Sequence, residues 1–283
     1  MITEQLEIRD KQKASWNKFS SEWKKWDDFT MQILQIQGDE IVKALDLKED
    51  YKVLDIASGT GEPGLTIAAK VNQGFVTAID IAEGMLEIAR EKQVEKNLHN
   101  FYTLAADVCE LPFENNSFDA ISCRLGFMFF PDMQLAAKEM VRVLKPGGKL
   151  AISIWAEPEK NRWITAMMGA IKNVVDVPTP PAGAPGMFRC AKPGFIASLF
   201  EGEGLFGGVE LDIDGKITYE SIDEYWEFMN DVVPPVVAVI QSSDESVKNQ
   251  IKKELYSCLI DNKGNQTDLI FGARMYMVQK PVY

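Results

Sequence analysis

The chain has 283 residues, 30 of them Lys or Arg and 42 Asp or Glu, giving a formal charge of −12 at pH 7 and a single histidine, His99. That acidic excess, with no basic cluster against it, argues against nucleic acid and anionic membrane partners. With 46% apolar and 25% charged residues, disordered, collagen-like and disulfide-scaffold classes are excluded, and the length allows one large α/β domain or two small ones.

Residues 4–26 are predicted helical, with Ile8, Trp16, Phe19, Trp23 and Trp26 on roughly one face. A second helix is predicted over 29–45. Short apolar runs then alternate with amphipathic stretches: strands over 53–57, 75–80, 101–105, 118–123 and 149–155, and helices over 64–71, 83–94 and 133–144. Repeated βα units joined by short loops call for a parallel, doubly wound sheet covered on both faces. Beyond Trp155 the rhythm breaks. Helices are predicted over 163–175 and 194–201 around a Pro/Gly-rich loop at 178–186, read as a linker in preference to a pocket flap. A strand over 209–217, helices over 221–230 and 236–259, and a last strand over 269–278 complete the chain.

Cys109, Cys123, Cys190 and Cys258 have neither zinc-knuckle nor C-x-x-C spacing and read as reduced, mostly buried thiols. The start MITEQLEIRDKQK has no apolar h-region, and the longest aliphatic run, 232–240, is short and broken by Pro234 and Pro235. The expectation is a cytoplasmic protein with no membrane span and no metal site.

The segment DIASGTGEPG (55–64) follows the first strand of the sheet and opens a helix, where an α/β protein binds its ligand. Read from Gly59 it matches G-x-G-x-x-G, a dinucleotide fingerprint. Read from Asp55 it is an acidic-x-small-x-Gly-x-Gly pattern. The polar Asp55 and Ser58 interrupt the apolar run a dinucleotide strand normally carries, and an anion there would repel a pyrophosphate but attract a sulfonium and ammonium. A hydride-transfer enzyme also needs a proton donor, and the Tyr-x-x-x-Lys at Tyr276 and Lys280 lies in a predicted strand, where residues four apart are roughly 13 Å from each other.

Four motifs in order, VLDIASGTGEPG (53–64), TAIDIAEGMLEIAR (77–90), AADVCELPFENNSFDAISCR (105–124) and RVLKPGGKLAISIW (142–155), resemble class I S-adenosylmethionine-dependent methyltransferases. The similarity is to the small-molecule branch that includes ubiquinone and menaquinone biosynthesis methyltransferases. It is strong over 53–155 and weaker elsewhere. The resemblance implies a Rossmann-like seven-stranded α/β sheet, mostly parallel with an antiparallel last strand, in a single domain. Residues 1–48 would form a helical lid, residues 49–283 the methyltransferase domain, and 156–206 and 218–263 acceptor-side additions, the second a helical insertion before the last strand.

Carried over residue by residue, the segment from Asp55 to Gly61, including Ala57, Ser58 and Gly59, would cradle the methionine moiety of S-adenosyl-L-methionine. Asp80 would accept from both ribose hydroxyls, and Ile81 and Met85 would pack near the adenine. Asp107 would accept from the adenine amino group and the Val108 N–H donate to the ring. Arg124 would line the cofactor and acceptor pocket, and Trp23, if its helix is a lid and not simply a core helix, would face the methionine end. Ala57 stands where glycine is commoner, which predicts tighter packing without loss of binding.

The reaction implied is in-line methyl transfer to an O, N or C atom of a small, largely apolar acceptor, with room for a homodimer. His99 is predicted to be a surface residue, which leaves no catalytic base assigned. Arg124, Trp155, Glu157 and Tyr225 are candidates for the acceptor site, and Phe127, Met128, Phe129 and Phe130 are either core or acceptor wall. Two other functions remain open: a cofactor-binding protein in an accessory or pericyclic role, without methyl transfer, and a nicotinamide-dependent oxidoreductase.

Overall fold

The computed structural model describes residues 3–178, 180–181, 183–260 and 268–282. Two helices come first, α1 (Thr3–Lys25) and α2 (Asp27–Leu45). The alternating part is β1 (Lys52–Ile56), α3 (Gly64–Lys70), β2 (Phe75–Asp80), α4 (Glu83–Glu95), β3 (Phe101–Ala105), β4 (Phe118–Arg124), α5 (Met133–Val143) and β5 (Leu144–Trp155). It is followed by α6 (Arg162–Lys172), α7 (Phe195–Glu201), β6 (Val209–Ile217), α8 (Ile222–Val232), α9 (Pro234–Ser242), α10 (Glu245–Leu259) and β7 (Leu269–Gln279).

The seven strands lie in the order β3-β2-β1-β4-β5-β7-β6. β1 pairs in parallel with β2 on one side and β4 on the other, and β7 runs antiparallel to both β5 and β6. This is the mostly parallel sheet with an antiparallel last strand that the motifs imply. Val53, Leu54, Ile56, Ala120 and Ile121 are continuous apolar runs because helices cover both faces, and none of them is appreciably exposed. The chain moves outward from β1 to β3 and then returns to β4 beside β1, so the winding reverses at β1/β4. A crevice must open there, outside the carboxyl ends of the strands.

The two N-terminal helices differ in how they are held. α2 buries Ile33, Leu34, Ile41 and Leu45, and its Phe29 ring lies 4.5 Å from Phe228 of α8. α1 buries only Phe19 and is tied down mainly by polar contacts: Asn17 Oδ1 accepts from the Gly84 N–H at 2.8 Å, and Gln5 Nε2 donates to Asp132 at 2.7 Å.

Two elements differ from the sequence prediction. The single helix expected over 236–259 is two helices, because Ser243 leaves the helical region (φ −94°, ψ 147°) and Asp244 starts a new helix by accepting from the Val247 N–H at 2.9 Å. β5 begins at Leu144, not Lys149: Leu144 pairs with Phe118, and the irregular register before Ala120 absorbs the Pro-Gly-Gly turn. The 178–186 loop falls partly outside the described residues. Cys109, Cys123 and Cys190 are buried free thiols, whereas Cys258 is exposed. Among the described residues no helix is long and apolar enough to cross a membrane.

Candidate functional site

The crevice at the switch point is a cavity floored by the ends of β1, β2 and β4 and the residues after β3, with one face of α1 as its roof. Asp55, at the end of β1, lies under the floor. It is 1% exposed, its Oδ2 accepts from the Gly64 N–H at 3.1 Å, and its Oδ1 accepts from Ser122 Oγ at 2.5 Å. Burial pushes its carboxyl up to about 7, against the Ser122 hydrogen bond and the nearby Arg124 charge. Asp55 therefore braces the loop from below and does not reach the cavity wall. Gly61 does not reach it either. Its φ of +105° and a Cβ position 2.8 Å from Leu65 explain the glycine by turn and packing. These two placements correct the expectation that the whole 55–61 segment touches a ligand.

Ala57, Ser58 and Gly59 do line the cavity. Ala57 has φ +52°, a left-handed conformation that glycine adopts without strain. The tight packing expected of its methyl is present, since a Cβ on Gly126 would lie 2.3 Å from the Ala57 Cβ.

The strand-end acids converge on the same space. Asp80 Oδ2 accepts from the Gly59 N–H and its Oδ1 from the Ala82 N–H, both at 2.9 Å. Loss of water raises its carboxyl from the usual value, and those N–H bonds oppose the shift. A carboxylate has about four lone-pair sites, and with the Gly59, Ala82 and Ile81 N–H groups directed at it Asp80 keeps about one for a donor in the cavity. Asp107 Oδ1 accepts from the Cys109 N–H at 2.9 Å, while its Oδ2 is buried with no partner. Ser58 Oγ and Trp23 Nε1 are likewise buried and unpartnered. Leaving such groups unsatisfied costs about 1–3 kcal/mol each. A polar ligand that donates to the carboxylates and accepts from the indole fits this wall, and Ile81, Met85 and Val108 give it an apolar lining.

At the β4 end, Arg124 lines the cavity, and its Nη1 donates to the Leu34 carbonyl at 3.0 Å. The aromatic run after it divides: Phe127 and Met128 are core, whereas Phe129 and Phe130 face the cavity. Trp16 stands edge-on to Phe129 at 5.3 Å and to Trp23 at 6.1 Å, closing the roof. The other acceptor candidates are used elsewhere. Trp155 packs on Trp163 at 5.2 Å, Glu157 pairs with Arg274 at 3.3 Å, and the Tyr225 hydroxyl donates to the Trp163 carbonyl at 2.5 Å. The cavity wall includes no described residue of 156–206 or 218–263.

His99 is exposed in the turn before β3. Tyr276 is buried in β7, and Lys280 donates to the Val141 and Leu144 carbonyls, so neither reaches the cavity. Sequence reasoning missed Arg9 and Gln12 in the roof and Glu62 in the floor. Arg9, Gln12, Trp16 and Trp23 recur at steps of three, four and seven, a single helical face, which was the available signal. Among the described residues no group of three or more His, Cys, Asp and Glu is placed to hold a metal ion.

Residues 53–148, from β1 to the turn inside β5, match the family model for a methyltransferase domain. That stretch is similar to a methyltransferase domain. Over 125 residues the chain is 37% identical to a demethylmenaquinone methyltransferase of Listeria monocytogenes, covering 44% of this chain and 53% of that protein. The chain therefore spans about half the length of the curated relatives it matches. Among solved structures, a SAM-dependent methyltransferase from Aquifex aeolicus is 26% identical over 69% of this chain and 92% of its own, with a TM-score of 0.51. The YcgJ protein of Bacillus subtilis shares the fold with a TM-score of 0.60 at 18% identity, over 86% of this chain and 97% of that one. The matched stretch thus contributes the cavity floor, while the roof comes from α1, outside the matched residues.

Proposed function

We propose that the chain binds S-adenosyl-L-methionine in this cavity and transfers its methyl group to a small, largely apolar acceptor. The observation that carries the reading is the set of unsatisfied polar atoms at three neighbouring strand ends: Ser58 Oγ after β1, the remaining lone pair of Asp80 at the end of β2, and the orphaned Asp107 Oδ2 after β3. Asp80 would hold the two ribose hydroxyls, Asp107 the adenine amino group, and the Val108 N–H the adenine ring, with Ile81 and Met85 against its faces. Ala57, Ser58 and Gly59 would border the methionine moiety, and Trp23 Nε1 would close that end. Asp55 serves the site indirectly, by pinning Gly64 and Ser122.

When bound, this cofactor supplies a sulfonium methyl open to displacement. The protein's own contribution is geometric. The wall fixes the cofactor's ribose and base, Trp16, Trp23 and Phe129 exclude water, and the acceptor must enter beside Arg124. Positioning of this kind can supply roughly 7–11 kcal/mol of the barrier.

Calorimetric titration with S-adenosylmethionine, S-adenosylhomocysteine and NAD tests the reading. S-adenosylhomocysteine at 100 times its Kd should stabilise the fold by about 2.7 kcal/mol, and Asp80→Ala should remove most of that shift. Tight NAD binding with no adenosylmethionine signal would overturn the assignment. Methyl transfer is read separately, with labelled donor and panels of phenols, quinols and acids.

A further inference from the structure

The guanidinium of Arg124 is a half-buried cation that lines the cavity. It makes one protein hydrogen bond, Nη1 to the Leu34 carbonyl at 3.0 Å, with Met31 Sδ at 4.0 Å, and among the described residues it forms no salt bridge. Of the five N–H donors a guanidinium carries, Nε and Nη2 make no hydrogen bond among the described residues. The cavity wall it shares includes the apolar Leu34, Leu125, Phe129 and Phe130 and the carboxylate of Glu62. Withdrawal from water lowers its pKa, while the charges of Asp55, Glu62, Asp27 and Asp39 act in the opposite direction.

Each of those four acids is already engaged with another group. Asp55 accepts from Ser122 and Gly64, Glu62 from the Thr66 amide and hydroxyl, Asp27 from Lys92, and Asp39 from Gln35. A charge partly withdrawn from water with one hydrogen bond and no ion pair is incompletely compensated, and an anion arriving in the cavity would complete the compensation. No imidazole stands by to deprotonate an acceptor, since His99 is exposed outside the cavity.

We propose that Arg124 is a catalytic residue that holds the acceptor's nucleophilic oxygen as an oxyanion, so the acceptor is an oxygen acid bound as its conjugate base. This rests on the methyltransferase reading above. On binding, the acceptor's proton is released to solvent. An electron pair of the oxyanion forms the new C–O bond as the S–CH3 bond breaks, and the departing pair stays on sulfur. The positive charge of the sulfonium and the negative charge of the acceptor disappear together, and no base in the wall takes part. The guanidinium replaces the missing histidine by favouring ionisation instead of removing a proton.

The test uses the full chain saturated with S-adenosylhomocysteine and two probes of similar size, 4-nitrophenol and nitrobenzene. Absorbance of bound 4-nitrophenol across pH should show its ionisation favoured roughly tenfold over the free phenol, and 4-nitrophenolate should bind about tenfold more tightly than nitrobenzene. Arg124→Met and Arg124→Gln should erase both effects while leaving S-adenosylhomocysteine affinity within about twofold, and Arg124→Lys should restore part of the preference. Equal binding of the two probes to the wild-type chain, binding of neither, or a preference that survives Arg124→Met would each overturn this inference alone. Failure of the wild-type chain to bind S-adenosylhomocysteine would overturn the parent reading and this one with it.

Discussion

Ala57 and Gly126 form the tightest residue-scale contact in the site, because a methyl on Gly126 would fall 2.3 Å from the Ala57 Cβ, while its next neighbour, Cys123 Sγ, would be at an ordinary 3.4 Å. Gly126→Ala should therefore destabilise the fold by about 1–3 kcal/mol through overpacking. Ala57→Gly, which relieves a left-handed φ of +52°, should change stability by less than about 1 kcal/mol. Combining them should recover most of the loss. A double-mutant cycle from urea titrations reads the coupling, and simple additivity would show that the clash is not the cause. Asp55 makes a second residue-scale prediction. Its carboxyl is raised to about 7, from the usual 3.8 of an unfolded chain, so the folded state holds a proton that the unfolded state releases. The stabilisation is complete below pH 3.8 and is lost as pH rises through 7. Stability without ligand should fall across that window by at most roughly 4 kcal/mol. Asp55→Asn, whose amide can donate to Ser122 Oγ and accept from Gly64, should flatten the slope, as urea midpoints at several pH values would report.

At the scale of elements, the sheet half of the site was legible in the sequence because strand ends carry polar residues directly after apolar runs, as at Asp55, Asp80 and Asp107. The cavity's roof was legible only as an aromatic helix that is either a lid or core, with Trp23 its one named residue. Whether Trp16 and Trp23 face a core or a cavity depends on where α1 docks, and that is set by tertiary contacts such as Asn17 with Gly84 and Gln5 with Asp132. The acceptor additions at 156–206 and 218–263 were inferred from their Met and aromatic content, yet Tyr225 and Trp163 spend that content on one another. The break at Ser243 had a local signal, Asp244 followed by Glu245, an N-cap with an acid in the first turn. The contrast between α1 and α2 has a dynamic consequence. With Phe19 as its single buried residue, α1 should open at low free-energy cost, whereas α2 is locked by Ile33, Ile41 and Leu45. Amides of α1 should exchange with deuterium faster than those of α2, and S-adenosylhomocysteine should slow exchange in α1 if it closes over the cofactor. Mass-spectrometric exchange with and without ligand would read both, and ligand-independent exchange in α1 would count against a lid.

For the whole molecule, the open question at the start was one domain or two, and the packing of Phe29 bears directly on it. Phe29 belongs to the N-terminal helices and Phe228 to the insertion before the last strand, yet their rings lie 4.5 Å apart, and Trp26 stands 5.6 Å from each. The first and last thirds of the chain thus close on one another over the sheet and share its core. Unfolding either third exposes the apolar surface of the other, which is the physical basis of a single cooperative transition. Three of the six tryptophans, Trp16, Trp23 and Trp26, lie in the first 26 residues, and Trp155, Trp163 and Trp226 lie beyond β4, so fluorescence samples both regions. Urea curves followed by tryptophan emission and by far-UV circular dichroism should coincide. Phe29→Ala and Phe228→Ala should each cost about 3–5 kcal/mol, since each deletes a buried ring. The double variant should lose clearly less than the sum, because the second truncation removes a ring whose partner is already gone. Two separated transitions, or strict additivity of the two truncations, would mean that the N-terminal helices and the insertion fold independently of one another.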